Sequence, residues 1–256
     1  MKLPHIVYGG VYMSKLSRTM ILAYCVVFVA ILAGGAIIGK TATVFSENEP
    51  LKNRTCFIID AGHGGIDGGA VSCTGKYESH INLEISVRLN DLLHLMGYET
   101  VMIRTEDISI HTGGQTIAAK KASDLKERVR IVNETQNGIL LSIHQNYYSD
   151  SSQCGGQMFY AKTSGSDLLA KNLQTNFCTY LNTGNNRKIK PVQGIYLMKH
   201  IEKPGVLIEC GFISNYAEAM KLQSDSYQKK LCAVIAVSCG NYCEEMTVTI
   251  DEASYI

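Results

Sequence analysis

Three short apolar runs constrain this chain more than any other feature. They are residues 56–60 (CFIID), 138–144 (GILLSIH) and 205–211 (GVLIECG). Each is too short for a buried helix and is bounded by glycine or polar residues, the mark of a strand buried on both faces. Such strands need cover on both sides, and the segments between them have the period to supply it. In residues 78–97, Ile81, Ile85, Leu89, Leu92 and Met96 recur at helical spacing until Gly97 ends the pattern. The alternation predicts an α/β domain whose parallel or mixed sheet carries helices on both faces.

The remaining elements follow the same logic. Residues 98–104 (YETVMIR), 155–161 (GGQMFYA) and 194–199 (GIYLMK) read as further strands. Residues 124–136 and 166–182 read as helices, as do 214–222 and 226–243. Asn215 and Glu218 are spaced as a capping pair. Residues 105–123 read as irregular and 183–191 as a polar loop.

Charge separates the N-terminal end from the rest. Residues 1–40 hold Lys2, Lys15, Arg18 and Lys40 with no acid, hence +4; the remainder has 20 bases against 23 acids, hence −3. The main domain therefore lacks the basic footprint of a nucleic-acid binder. Residues 20–38 form an uncharged apolar run of 19 residues, about 28 Å long as a helix and close to a bilayer core. With Lys15 and Arg18 before it, the run predicts a cytoplasmic segment 1–19, a membrane anchor or signal segment 20–38, a linker 39–54 and an extracytoplasmic domain 55–245 with a tail 246–256. The nine cysteines show neither CxxC nor zinc-finger spacing. They are expected to be mostly buried thiols.

In open α/β sheets, ligands bind beyond the carboxyl ends of the strands. His63 lies just past the first strand within "IIDAGHGGIDGGA", His144 closes the second long apolar run, and Glu209 sits inside the third. A carboxylate in an apolar strand is costly without a purpose. Glu78 precedes Ile81 by three residues and Ile85 by seven, so it lies on the buried stripe of its helix, in the first turn. Two imidazoles and a carboxylate are a usual ligand set for catalytic zinc, and a further unligated carboxylate can act as proton carrier. His63, Glu78 and His144 fit the ligands and Glu209 the base. The glycines around His63 match neither a dinucleotide fingerprint nor a phosphate loop. They suggest a turn that keeps side chains away from an approaching substrate.

The four residues occur in the order "IIDAGHGGIDGGA", "ESHIN", "LLSIHQN", "VLIECGFISN". This series resembles the zinc-dependent N-acetylmuramoyl-L-alanine amidases of the type-3 family, over about residues 56–243. The resemblance implies a single α/β domain with a central six-stranded sheet. It implies hydrolysis of the amide between N-acetylmuramic acid and L-alanine in peptidoglycan. By the same resemblance, Zn2+ would be bound by His63, Glu78 and His144, and Glu209 would be catalytic. Asp67, Asn82, Arg128 and Asn133 fall on recurrent family positions and are expected to support the site. The chain departs from the family pattern at Ala61, Ser79 and Tyr147, none of them a ligand. A short anchored chain of this plan looks most like the spore-cortex amidases. Two other readings stay open: an exported zinc hydrolase of a different amide, and a membrane-tethered binding protein with a degenerate site. An activating protein partner is compatible with ligands drawn from three separate segments.

Overall fold

The computed structural model describes residues 55–253, and the segment expected to meet the membrane lies outside them. Among the described residues no helix is long and apolar enough to cross a bilayer. In chain order the elements are β1 (Cys56–Ala61), α1 (Glu78–Leu95), β2 (Glu99–Met102), α2 (Ile117–Glu134), β3 (Gly138–Asn146) and β4 (Gln157–Tyr160). There follow α3 (Ser166–Asn176), β5 (Lys190–Pro191), α4 (Tyr196–His200), β6 (Gly205–Phe212), α5 (Tyr216–Leu222) and α6 (Asp225–Ala253). Helix α6 continues past residue 245, where the domain was expected to end.

The six strands form one mixed sheet in the order β2-β1-β3-β6-β4-β5. Strands β2, β1, β3 and β6 are mutually parallel, β4 runs antiparallel to β6, and β5 is parallel to β4. From β1 the chain moves first outward to β2 and then to β3 on the other side. That reversal opens a crevice at the carboxyl ends of β1 and β3.

The pleat sorts the strand residues between two cores. Phe57 and Ile59, Leu141 and Ile143, and Val206 and Ile208 pack with Ile81, Ile85, Leu89 and Leu93 of α1, Leu169 and Leu173 of α3, and Leu231 and Ile235 of α6. Ile58, Leu140 and Leu207 point the other way, toward Val132 of α2 and Leu197, Met198 and Ile201 at α4. Each fully buried aliphatic side chain contributes about 1.5–3 kcal/mol. The first core is thick and covered by three helices. The second is thin, because α4 has only five residues.

Several expectations are corrected. Residues 194–199 do not form a strand: Gly194 turns at φ 74° and the chain enters α4. The reason is burial, since Leu197, Met198 and Ile201 all reach the sheet from one side of a helical turn. The sixth strand is instead β5, within the stretch expected to be a loop. Helix α2 also starts earlier than expected, at Ile117, with the Thr116 side chain accepting from Ala119 N–H. The capping pair of α5 is half realised. Asn215 accepts from Glu218 N–H (3.1 Å), but the Glu218 carboxylate turns to Gly155 N–H (3.0 Å) and Phe212 N–H (2.8 Å).

No disulfide joins the cysteines among the described residues. Cys56, Cys210, Cys232 and Cys239 are buried as expected, whereas Cys73 and Cys154 are exposed.

Candidate active site

The crevice beyond β1 and β3 collects all four residues picked out by position. His63 follows β1, Glu78 opens α1, His144 lies near the end of β3, and Glu209 faces it from β6, with which it is paired in register. Glu78 stands between the two imidazoles. Its Oε2 lies 3.3 Å from His63 Nε2, and its Oε1 lies 3.1 Å from His144 Nδ1. The rings meet edge to face at 5.0 Å.

Each donor is held from behind. His63 Nδ1 faces Asp67 Oδ2 at 3.1 Å, so a proton there leaves Nε2 turned to the centre. Asp67 is itself tied to Lys121 (2.8 Å). Glu78 accepts backbone N–H groups from Ala70 and Gln145, both at 3.1 Å. Asn82, one turn along α1, donates to Glu78 Oε1 (3.3 Å) and to the Gly62 carbonyl (3.1 Å). Burial alone would raise the Glu78 carboxyl, but its bonds and charges with His144 and His63 hold it well below the usual range. Burial would likewise lower His63, yet Glu78 and Asp67 outweigh it and push the imidazole up to about 9.

The glycines of the opening turn serve the site in an unexpected way. A Cβ on Gly62 would lie 2.2 Å from His144 Nε2. At Gly69, where φ is +68°, a Cβ would meet Glu78 Oε2 at 2.6 Å and His63 Cδ2 at 2.8 Å. These glycines make room for the three site residues, not for a distant substrate. His63 itself takes a left-handed backbone (φ 63°), uncommon outside glycine.

Below the turn lies a buried charge network that sequence reasoning saw only in part. Arg128 of α2 pairs with Asp60 of β1 and, at 2.6 Å, with Asp124; it also donates to the His63 carbonyl (2.8 Å). Ser142 donates to Asp60 (2.6 Å). Arg104, which went unnoticed, donates to the carbonyls of Ala61 (2.7 Å), Gly62 (3.1 Å) and Ser79 (2.9 Å). It thereby fixes the turn to the start of α1. Its signal was a charged residue closing the apolar stretch "VMIR". Asn133 plays no part in the site: it joins α2 to the His200 carbonyl (3.2 Å) and to Glu202 N–H (2.9 Å).

Glu209 stands apart electrostatically. Its Oε2 is enclosed and has no hydrogen-bond partner. Burial pushes its carboxyl up to about 7, against the lowering pull of His144. It lines a cleft of about 350 Å³ together with His63, His144, Asp67, Lys121 and Leu207.

The donor set can hold a metal. One atom each from His63, Glu78 and His144 lie within 4.8 Å of one another. A tetrahedral ion with ligand bonds of about 2.0–2.1 Å keeps its donors roughly 3.3 Å apart. Each imidazole lies near that distance from one Glu78 oxygen, His63 from Oε2 (3.3 Å) and His144 from Oε1 (3.1 Å), so a small contraction of the set would suffice.

Residues 57–240 match the family described as N-acetylmuramoyl-L-alanine amidase. The chain belongs to the N-acetylmuramoyl-L-alanine amidase family. It is a peptidoglycan amidase, cleaving at the bond between N-acetylmuramic acid and L-alanine. It is 37% identical over 189 residues to the germination-specific N-acetylmuramoyl-L-alanine amidase of Bacillus subtilis, covering 73% of this chain and 78% of that one. It is 32% identical to the N-acetylmuramoyl-L-alanine amidase LytC of the same organism, over 78% of this chain but 38% of LytC. Among solved structures it resembles the CwlD amidase of Clostridioides difficile, determined in complex with the GerS lipoprotein. The TM-score is 0.72 and the identity 35%, covering 75% of this chain and 99% of that one.

Proposed function

We propose that the amidase is zinc-dependent, with His63, Glu78 and His144 as ligands and Glu209 as the group that moves the proton. The observation that carries this is the pairing of a preassembled three-donor set with an enclosed, unpartnered carboxylate across the same crevice. When bound, zinc supplies Lewis acidity, activating water and polarising the amide carbonyl. Glu209, unpaired and raised by burial, is placed to take a proton from the attacking water and return it to the departing alanine nitrogen. Asp67 keeps His63 in the tautomer that presents Nε2, as a carboxylate behind a ligating histidine does. Arg104 and Arg128 hold the backbone carrying His63 in its left-handed turn. Leu197 and Leu207 line the cleft with apolar surface.

The cellular reading goes further. The chain works outside the cytoplasm, tethered through residues 20–38, on peptidoglycan of the spore cortex, where removal of stem peptides precedes muramic δ-lactam formation. Likeness to a germination-specific amidase supports this. Likeness to an amidase solved in complex with a lipoprotein supports a protein partner. The test is zinc analysis of the full-length chain, with and without such a partner, coupled to mass spectrometry of digested peptidoglycan. Intact glycan, free stem peptides and one zinc per chain are expected. Cleaved stem peptides still attached to the glycan would instead mark a peptidase. For the cellular role, a deletion strain should make cortex without muramic δ-lactam, and normal lactam would exclude it.

A further inference from the structure

Glu209 borders two cavities, and their charges differ. On the α2 side, the cleft described above contains both signs, but its cations are all engaged and outnumbered: Lys121 pairs with Asp67, and Arg128 with both Asp60 and Asp124. On the β5 side, a second cavity of about 490 Å³ is lined by Asn146, Phe159, Gln193 and Lys190, with Glu209 at its inner end. Lys190 is exposed, and no ion pair engages it among the described residues. Ile195 lines both cavities, so they meet at the reacting centre.

The register places Lys190 on the correct face. Glu209 pairs with Gln157 of β4, and two residues on, Phe159 pairs with Lys190. Positions two apart share a sheet face, so Glu209, Phe159 and Lys190 all lie on the side carrying the site. Two strand spacings and one two-residue step put the α-carbons of Glu209 and Lys190 about 12 Å apart.

The substrate of an amidase that cuts between muramic acid and L-alanine is electrically lopsided. The N-acetylated sugar is neutral once its lactyl carboxyl is in the amide, whereas the stem peptide carries free carboxylates. The α-carboxyl of the second stem residue lies about 7 Å from the scissile nitrogen in an extended chain. A lysine reaching inward from 12 Å can meet it.

We propose that the site has a fixed polarity: the stem peptide runs over Phe159 toward β5, where Lys190 pairs with the α-carboxylate of its second residue, and the sugar occupies the cleft beside α2, whose cations are already engaged by carboxylates. Lys190 is then a specificity residue that reads whether this carboxyl is free or amidated. The proposal rests on the hydrolytic site being centred on Glu209.

The experiment uses the full-length chain with its zinc and two sets of soluble glycan strands, identical except that the second stem residue has a free or an amidated α-carboxyl. Wild type is expected to prefer the free acid by roughly two- to fivefold in kcat/KM, the upper range of a solvent-accessible ion pair. In Lys190→Ala that ratio should collapse toward one, with most of the loss in KM. Lys190→Arg should restore it, and Lys190→Glu should invert it. A free-acid preference in Lys190→Ala equal to that of wild type would overturn the polarity while leaving the hydrolase reading intact. Failure of wild type to cleave either set would overturn the hydrolase reading, and the polarity with it.

Discussion

The two faces of the sheet are built for different ends. One carries α1, α3 and α6 and is sealed with aliphatic side chains such as Ile85, Leu93, Leu173 and Ile235. The other carries α2 and the short α4, and beneath them lie Asp60, Arg128, Asp124 and Ser142 in a buried polar network. A buried ion pair is an uncertain source of stability, because desolvation offsets the attraction. The network is better understood as a clamp: it holds the β1 carboxyl end and the His63 turn where the crevice needs them. The thick face keeps the domain folded, and the thin face can therefore leave a cleft open and a carboxylate unpartnered.

This division can be broken experimentally. The largest effect is expected at the centre of the thin face, where Glu209→Gln should slow amide hydrolysis by about 10²–10⁴-fold. Zinc content should stay at the wild-type level, and hydrolysis near wild-type rates would remove Glu209 from the mechanism. Next, Arg128→Met strands two buried carboxylates and should cost about 3–5 kcal/mol of stability in denaturant titrations. Activity should fall as well, because the His63 turn loses its anchor. Leu93→Ala on the thick face should cost a similar 2–5 kcal/mol. Here kcat/KM at a temperature where the variant is folded should stay near wild type; a matching drop in activity would mean that the two faces are not separable. Asp67→Asn should weaken zinc binding by about 10–100-fold, read by competition with a chelating dye.

The smallest effect sharpens the electrostatic side. Burial raises Glu209 from its ordinary range to about 7. The native state therefore keeps a proton that the unfolded chain releases above about pH 4.3. Stability from this group is complete below that value and is lost as pH rises to 7. In metal-free protein, Glu209→Gln should thus gain about 3–4 kcal/mol over wild type between pH 4 and 8. A stability difference independent of pH would show that Glu209 is not desolvated.

How far the sequence foretold this division depends on the kind of signal. Glu209 was legible because a carboxylate interrupts an apolar strand, and Glu78 because its helical phase points inward. The same logic applied to Asp60 in "CFIID" would have disclosed the charge network, since Asp60 is almost wholly buried. Arg104 and Arg128 act through backbone carbonyls brought together from distant segments; a charge closing "VMIR" singles out Arg104, but no local pattern says which carbonyls it meets. The stretch "GIYLMK" misled because a short apolar run has no period long enough to separate strand from helix. Its true conformation is set by the sheet it covers. The glycines near His63 were legible as a turn, but their cause, the rings packed against their α-carbons, exists only in three dimensions.

The place of β6 has a consequence for the order of events during biogenesis. This strand lies between β3 and β4, yet it is made after both. A chain synthesised from its N-terminus therefore presents the apolar edge of β3 without a neighbour until residues 205–212 emerge. During that interval it is a template for pairing with other chains. Glu209 arrives on the same strand, so the insertion that ends this exposure also delivers the last of the four site residues. On the proposed assignment, a nascent or truncated amidase holds the three proposed zinc ligands but lacks the proposed proton carrier, and the strand that supplies it is the one that protects the sheet from aggregation.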